Sequence, residues 1–516
     1  MTTRTPTPQQ AACITAIVES RMLKVEACAG SGKTSTLDMM AQATPVASLY
    51  LGFNKVTATE ATEKFPKHVT CKTTHSVAYA AFGSKIRDKL SRPKGRYVNV
   101  AGTGSEIGKF YKLTPIELCE TVTMSSAYLG LLARQAVALF EQSSDDTLTK
   151  RHLPFGELYE IAQKSKANMA YTESVILGAA QRMWNDRTNV NSPVLATHDT
   201  YLKMYQLSKP VLAGFKVLYV DEFQDTTPCV LDIVMNQCNH MKVVMVGDAR
   251  QAIYGWRGAV NAMKMVQCES RKLTKSFRYG QRIANVATHV LEGAMQIEGN
   301  ASITSVAEFE CVDRSLPYTR LFRTNSALLT GAVAEIQRGT KVSIEVDVKD
   351  FVKLMQSALA LEAGDNKNVK HDKLLPFKDW CDMVLESKQD AELGRIVKVV
   401  KEGLVHEWIA VLSGHTNSPE PMVTFTTAHK SKGREFSQVV IEDDFKSNYN
   451  EDGKWVGLSE DEQNLLYVAV TRAIHKLEYN QTVAEYLDRA QAREEEDYFD
   501  LGIQGLVKDV REAVAG

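Results

Sequence analysis

No stretch of about 18 uninterrupted apolar residues occurs in this 516-residue chain, so the signature of a membrane-spanning helix is missing and no membrane partner is expected. The Thr- and Pro-containing start lacks the apolar centre of a signal peptide. The protein is therefore expected to stay where it is made, in the cytoplasm, or in the nucleus of a eukaryote. Nine cysteines form no C-x-x-C and no paired Cys/His spacing, which argues against a zinc site and against a disulfide framework. Buried free thiols in a reducing cytosol are the expectation. A net charge of −1 offers no excess of positive charge to announce a nucleic-acid partner, although a local basic cleft in a neutral protein can bind one. Internal repeats, low-complexity segments and nuclease motifs are missing as well. What remains, 44% hydrophobic and 24% charged, is the composition of a soluble globular protein, and the length implies about three to four domains.

The stretch V-E-A-C-A-G-S-G-K-T-S-T-L, from Val25 to Leu37, organises the rest. A short apolar run, Leu23 to Ala27, precedes a glycine turn that gives way to a helical pattern, which is the strand, loop and helix order a phosphate loop requires. Ala29, Gly30, Ser31, Gly32 and Ser35 belong to this cradle. Gly30 and Gly32 let successive N–H groups face phosphate oxygens at a positive helix end. Lys33 would reach the β and γ phosphates, and Thr34 would hold Mg²⁺ through its hydroxyl. Ala27 stands at the first position of the pattern, where glycine is usual. Upstream, Thr7-Pro8-Gln9-Gln10 opens an amphipathic helix, and Gln10, or failing it Gln9, is placed to read an adenine edge through its amide.

Strands at Ala47 to Phe53 and Val69 to Thr73 alternate with helices, which predicts a parallel sheet whose carboxyl ends carry the site. Phe53 and His75 fall on that edge, as ligand contacts or as packed side chains. Lys85 to Tyr97 carries Lys85, Arg87, Lys89, Arg92, Lys94 and Arg96, suited either to phosphate contact or to a solvated loop. The sheet resumes with Lys216 to Val220 and runs into Asp221-Glu222-Phe223-Gln224-Asp225. A strand ending in paired acids after a phosphate loop places Asp221 on Mg²⁺ and Glu222 as the base that polarises the attacking water. Lys242 to Val246 then leads to Gly247–Gly258, a loop that combines polar groups suited to a γ-phosphate with Tyr254, Trp256 and Arg257. Lys275 to Tyr279 starts another helix, and Leu321 to Asn325 ends a strand. Strands follow at Val423 to Thr427 and Val439 to Glu442, and Ser459-x-x-Glu462 forms a capping box. The acidic tail at Glu494 to Asp497 is expected to be a solvated helical end.

Ten motifs in this order, A-G-S-G-K-T, F-N-K, K-T-T-H-S, T-H-D-T-Y-L-K, V-D-E-F-Q-D, G-D-A-R-Q-A-I-Y-G-W-R-G-A, S-F-R-Y-G, F-R-T-N, T-A-H-K-S-K-G-R-E-F and Y-V-A-V-T-R-A, span nearly the whole chain. The set resembles superfamily 1A DNA helicases of the UvrD/Rep type, and within them the F-box DNA helicase family. The resemblance implies an α/β fold with two RecA-like P-loop domains built on parallel sheets, ATP between them, each domain interrupted by a mainly helical insertion. The boundaries expected are 1–80 and 200–268 for the first domain, 81–199 for its insertion, 269–330 and 422–516 for the second, and 331–421 for a short second insertion. The resemblance further implies that Gln10 reads adenine, Phe277 stacks on the base, Gln251 senses the γ-phosphate, Glu435 contacts ribose, and Arg278 and Arg472 are arginine fingers. Phe53, Asn54, His75, Tyr254, Trp256, Arg257, Asn325 and His429 match the single-stranded DNA track. Thr74 stands where the family usually has Phe, and no F-box precedes residue 5, so no ubiquitin-ligase link is expected.

The activity so implied is an ATP- and Mg²⁺-dependent DNA helicase moving 3′ to 5′ on single-stranded DNA, in repair, recombination or replication. Single strands and single-strand/duplex junctions would be its substrates, with a single-strand-binding protein or recombinase as a protein partner. Two alternatives stand beside it: a translocase that strips proteins with little unwinding, and a DNA-binding scaffold whose ATPase is vestigial. Against the last, Lys33, Thr34, Asp221, Glu222, Gln251, Arg278 and Arg472 are all present.

Overall fold

Around the phosphate loop the central strands are short and mostly buried, as strands covered by helices on both faces must be. β1 (Met22–Ala27), β2 (Ser48–Gly52) and β3 (Val69–Thr73) come first, and β2 is buried along its whole length. A computed structural model describes residues 5–90, 102–120, 122–255, 258–377, 379–387 and 391–493. Trp256, Arg257, the basic run from Arg92 to Tyr97 and the acidic tail from Glu494 lie outside the described residues.

A hairpin of β4 (Ile116–Cys119) and β5 (Val122–Met124) lies in the stretch 81–199 expected to be mainly helical. Its strands are too short for alternation to be read from sequence. β6 (Val217–Val220), β7 (Lys242–Gly247) and β8 (Glu269–Leu273) complete a six-stranded sheet of order β3-β2-β6-β7-β1-β8. β2 pairs parallel with β3 and β6, β6 with β7, and β7 with β1, so the ends of β1, β2, β6 and β7 open on one edge. β8 carries this sheet past the expected boundary at 268. As an edge strand reading E-S-R-K-L it has one buried residue, Leu273, and no apolar period to betray it.

β9 (Val306–Glu308), β10 (Tyr318–Phe322), β11 (Val342–Ile344), β12 (Val423–Thr427), β13 (Phe436–Ile441) and β14 (Ala473–Glu478) form a second six-stranded sheet of order β11-β12-β10-β13-β14-β9. β11 lies inside the stretch 331–421 that was expected to be a helical insertion; three residues are too few to show a period. The turn S-F-R-Y-G does not start a helix as expected: the helix Gln281–Val290 begins after Gly280.

The chain divides into two compact units. The first contains Met1–Glu26, Lys33–Lys272 and Asp347–Gly414; the second contains Ala27–Gly32, Leu273–Val346 and His415–Gly516. In the first, Leu49, Leu51, Leu218, Val220, Phe223, Val243 and Met245 form the core beneath the sheet. A separate core unites the helices Ser126–Gln142 and Ala170–Thr188. There the helix Gly104–Phe110 lies so close to Ser126–Gln142 that a Cβ on Gly130 would sit 2.2 Å from the Gly104 carbonyl oxygen. Helices between residues 347 and 414 also belong to this unit, and Arg134 Nη2 reaches Asp372 Oδ2 at 2.6 Å.

Candidate functional site

In the first unit the helix Lys33–Ala43 follows the loop directly, and the acids at the end of β6 meet its first residues. Thr34 Oγ1 donates to Asp221 Oδ2 at 3.1 Å, and Lys33 Nζ lies 3.4 Å from Glu222 Oε1. Tyr50, wholly buried on β2, donates its hydroxyl to Asp221 Oδ2 at 2.8 Å, while the Glu222 N–H donates to Asp221 Oδ1 at 2.9 Å. Burial and the neighbouring Glu222 push the Asp221 carboxyl above the usual carboxylate range, with Lys33 and the Tyr50 hydroxyl opposing. Glu222 has φ 49°, in the left-handed region, a conformation that costs a non-glycine residue about 1–3 kcal/mol. Ser35 is half-buried on the same helix.

Gln10 is buried, and its carboxamide accepts the Thr7 N–H at 3.0 Å and donates to Thr36 Oγ1 at 3.1 Å. It thereby closes the capping box that starts the helix Pro8–Glu19 and fastens that helix to the one behind the phosphate loop. Beyond β7, Gln251 Nε2 donates to Asp248 Oδ2 at 2.7 Å. Asp248 is fully buried, and burial pushes its carboxyl up.

Phe53 is 43% exposed and lies parallel to Tyr254, ring centroids 5.8 Å apart and planes 9° from parallel. His75 Nε2 lies 3.1 Å from Asp199 Oδ1, and its ring meets Tyr201 edge-on. Asp199 and Tyr201 belong to T-H-D-T-Y-L-K, so that motif positions His75. Asn54 is exposed and caps the helix Lys55–Lys64 through a 2.9 Å bond from the Thr57 N–H. A cavity of about 390 Å³ is lined by Phe53, His75 and Tyr254 together with Asp221, Glu222 and Asp225.

In the second unit Tyr467 and Tyr279 hold Ala29: the Ala29 N–H donates to the Tyr467 hydroxyl at 2.9 Å and the Tyr279 hydroxyl donates to the Ala29 carbonyl at 3.2 Å. Gly30 and Gly32 take φ 75° and 76°, and Ser31 Oγ donates to the Cys28 carbonyl at 2.8 Å. A Cβ on Gly30 would lie 2.5 Å from Ser276 Oγ, so this turn requires glycine for conformation and for space. The Phe277 N–H donates to the Gly30 carbonyl at 2.8 Å, leaving the Phe277 ring 43% exposed. Arg278 lies 3.4 Å from Glu435 and donates to the Thr471 carbonyl at 3.0 Å. Arg472 is 1% exposed; its guanidinium donates to the Val468 and Arg434 carbonyls and to Thr471 Oγ1.

Asn325 is exposed at the start of the helix Asn325–Gln337. The turn before it is held by Asp444, which accepts the Arg323 and Thr324 N–H groups at 2.7 and 2.8 Å. His429, on the short helix Ala428–Ser431, is half-buried. Ser459 caps its helix by accepting the Glu462 N–H, but the Glu462 carboxylate pairs with Arg323 at 2.7 and 2.9 Å. Burial raises Glu462, and Arg323 outweighs it, holding the carboxyl below its ordinary range.

Sequence reasoning did not single out Tyr50, Gln224, Asp248, Tyr279, Asp444 or Tyr467. A tyrosine inside the apolar run S-L-Y-L-G is a signal in itself, because a buried phenol needs a partner. Gln224, Asp248, Tyr279 and Tyr467 sit in quoted motifs, where their type was visible and their partner was not, and Asp444 lies outside them, two residues past the strand expected at Val439 to Glu442.

Residues 6–270 match the UvrD/REP helicase N-terminal domain, and residues 422–477 match the UvrD-like helicase C-terminal domain. The chain is 30% identical, over 91% of its length, to the protein named F-box DNA helicase 1 of Gallus gallus, covering 48% of that protein. It is 28% identical, over 90% of its length, to F-box DNA helicase protein 1 of Schizosaccharomyces pombe, covering 56% of it. The ATP-dependent DNA helicase PcrA of Staphylococcus epidermidis is 22% identical over 43% of the chain and 32% of its own length. The chain thus spans about half the length of these two F-box DNA helicase relatives.

Proposed function

The chain belongs to the UvrD/REP helicase family, and from that premise we propose that it is an ATP-dependent DNA helicase that moves 3′ to 5′ along single-stranded DNA and opens single-strand/duplex junctions. The observation that carries the reading is the joining of Lys33, Thr34, Asp221 and Glu222 by direct contacts, with Asp221 and Glu222 lining a cavity that Phe53 and Tyr254 also line. A hydrolytic centre and a stacking surface in one cavity are what coupling hydrolysis to strand movement requires.

Thr34 Oγ1 and the buried Asp221 carboxylate are hard oxygen donors, a set that fits Mg²⁺, which takes one or two protein oxygens and completes its shell with phosphate and water. Bound there with nucleotide, the ion would neutralise charge on the phosphates. Lys33 would contribute a positive charge to the same phosphates, and Glu222, held in its unusual backbone conformation, would accept the proton of the attacking water. Gln251 is the proposed γ-phosphate sensor, Gln10 the adenine reader, Phe277 the base-stacking ring and Glu435 the ribose contact. Arg278 and Arg472 are proposed to meet charge in the transition state; for this Arg472 would have to leave the Val468 and Arg434 carbonyls.

Phe53, Asn54, His75, Tyr254, Asn325 and His429 form the proposed strand track, and exposed aromatics stack on any base, which suits a motor indifferent to sequence. The division into two RecA-like domains with insertions belongs to the same proposal, supported by the two six-stranded parallel sheets, with β8 and β11 extending the boundaries drawn from sequence. A single-strand-binding protein or recombinase on the same strand is the protein partner this reading entails. No helix among the described residues is long and apolar enough to cross a membrane. The test is ATP hydrolysis with and without an unstructured single-stranded oligonucleotide: strong stimulation is expected, and equal turnover would overturn the proposal.

A further inference from the structure

The side chain of Gln224 is fully buried, and three groups meet its carboxamide. Its Nε2 donates to Glu222 Oε2 and, at 3.2 Å, to Asp225 Oδ2, while its Oε1 accepts the Asp248 N–H at 3.0 Å. Two carboxylates need a donor and one N–H needs an acceptor, so a single orientation of the amide satisfies all three. The end of β7 accommodates it: a Cβ on Gly247 would lie 2.4 Å from Gln224 Oε1. Asp248 continues the chain of bonds, accepting Gln251 Nε2 at 2.7 Å and the Arg250 N–H at 3.0 Å. Three residues after Gln251 comes Tyr254, stacked on Phe53, and Asp225 lines the cavity those rings share.

We infer that Gln224 is a positioning residue that fixes the Glu222 carboxylate and ties its orientation to the loop from Asp248 to Tyr254. The inference rests on the hydrolytic reading of Glu222 given above. A strand stacking on Phe53 or Tyr254 displaces that loop, and with it the Asp248 N–H. The amide of Gln224 is planar and held at both ends, so a shift at its oxygen is delivered at its nitrogen, on Glu222. Occupation of the track thereby reaches the group that activates water.

Steady-state ATP hydrolysis by the full chain, with and without an oligothymidylate and across a range of pH, tests this with Gln224→Met and Gln224→Glu. Gln224→Met keeps the length and apolar stem but loses donor and acceptor. Its kcat with oligonucleotide should fall roughly 10- to 100-fold, the scale of a catalytic group misplaced by about an ångström, and stimulation should approach one. The KM for ATP should stay within about twofold of wild type, since the lost interaction acts in the transition state. Gln224→Glu sets a third carboxylate beside Glu222 and Asp225 at high pH, whereas its protonated carboxyl restores the acceptor and one of the amide's two donors. Its rate relative to wild type at the same pH should therefore rise as pH falls, a recovery that a merely structural role would not give. Stimulation of Gln224→Met equal to that of wild type would overturn the inference, and so would a relative rate of Gln224→Glu that is flat in pH. Should Gln224→Met fail to fold by circular dichroism, the pH recovery decides. A wild-type chain that oligonucleotide does not stimulate would overturn the hydrolytic reading itself.

Discussion

Replacing Arg187 by methionine should loosen the helices Ser126–Gln142 and Ala170–Thr188 of the first unit. Arg187 and Glu141 form an ion pair with side chains 5% and 1% exposed, Arg187 Nη1 lying 2.9 Å from both carboxylate oxygens. Glu141 also accepts Thr197 Oγ1 at 3.1 Å and Thr200 Oγ1 at 2.6 Å, both threonines belonging to T-H-D-T-Y-L-K. At this separation and an effective dielectric of about 20 the attraction is about 6 kcal/mol, which desolvation of the two ions largely cancels. The intact pair therefore adds little, but removing the cation leaves a buried carboxylate with two hydroxyls, at a cost of about 3–5 kcal/mol. Adding Glu141→Gln should recover about 1–3 kcal/mol of that, because the two side chains are coupled. A chain of two units does not melt in one step, so the measurement is native-state hydrogen exchange in the helices Ser126–Gln142 and Ala170–Thr188. The helix His198–Leu207, which carries Asp199 to His75, should lose protection with them. A change below about 1 kcal/mol, or strict additivity of the two substitutions, would refute the reasoning.

Arg278→Ala should lower kcat by on the order of 10³ or more with little loss of ATP affinity; weaker ATP binding at preserved kcat would make the arginine a ground-state anchor. Phe53→Ala and Tyr254→Ala should each weaken oligonucleotide binding by about 1–3 kcal/mol, read from fluorescence anisotropy, with hydrogen-exchange protection retained; unchanged affinity would count against stacking of the pair on a strand. For Asp248, whose carboxyl burial raises, the neutral form suits the fold, so stability is complete below the ordinary carboxylate range and is lost as pH rises through the raised value. The stability of Asp248→Asn relative to wild type, read from native-state hydrogen exchange in the strand Lys242–Gly247, should accordingly increase between pH 5 and pH 8, and a pH-independent difference would contradict the assignment.

Much of the site was legible because its chemistry is local in sequence. Lys33 and Thr34 stand one after the other behind two glycines, and Asp221 and Glu222 end an apolar strand, so residue type and spacing pointed to the four side chains that the structure brings into contact. Harder to read were the groups that act through distant partners. Tyr50 meets Asp221 across 171 positions, and Arg278 meets Thr471 across 193, distances over which periodicity says nothing. Gln10 shows the converse: its position before the first strand was plain, yet its carboxamide closes a capping box and binds Thr36. The short strands β4, β5 and β11 and the charged edge strand β8 went unread because tertiary pairing, not local propensity, makes them strands.

The most direct test of ATP-driven unwinding is strand displacement on duplexes bearing a single-stranded tail at either the 3′ or the 5′ end, with Lys33→Ala as the control that removes the proposed phosphate contact. Release from the 3′-tailed duplex, dependent on ATP and Mg²⁺ and absent in Lys33→Ala, is the predicted result. Release from the 5′-tailed duplex alone would reverse the polarity, and ATP hydrolysis without release from either substrate would contradict the helicase assignment.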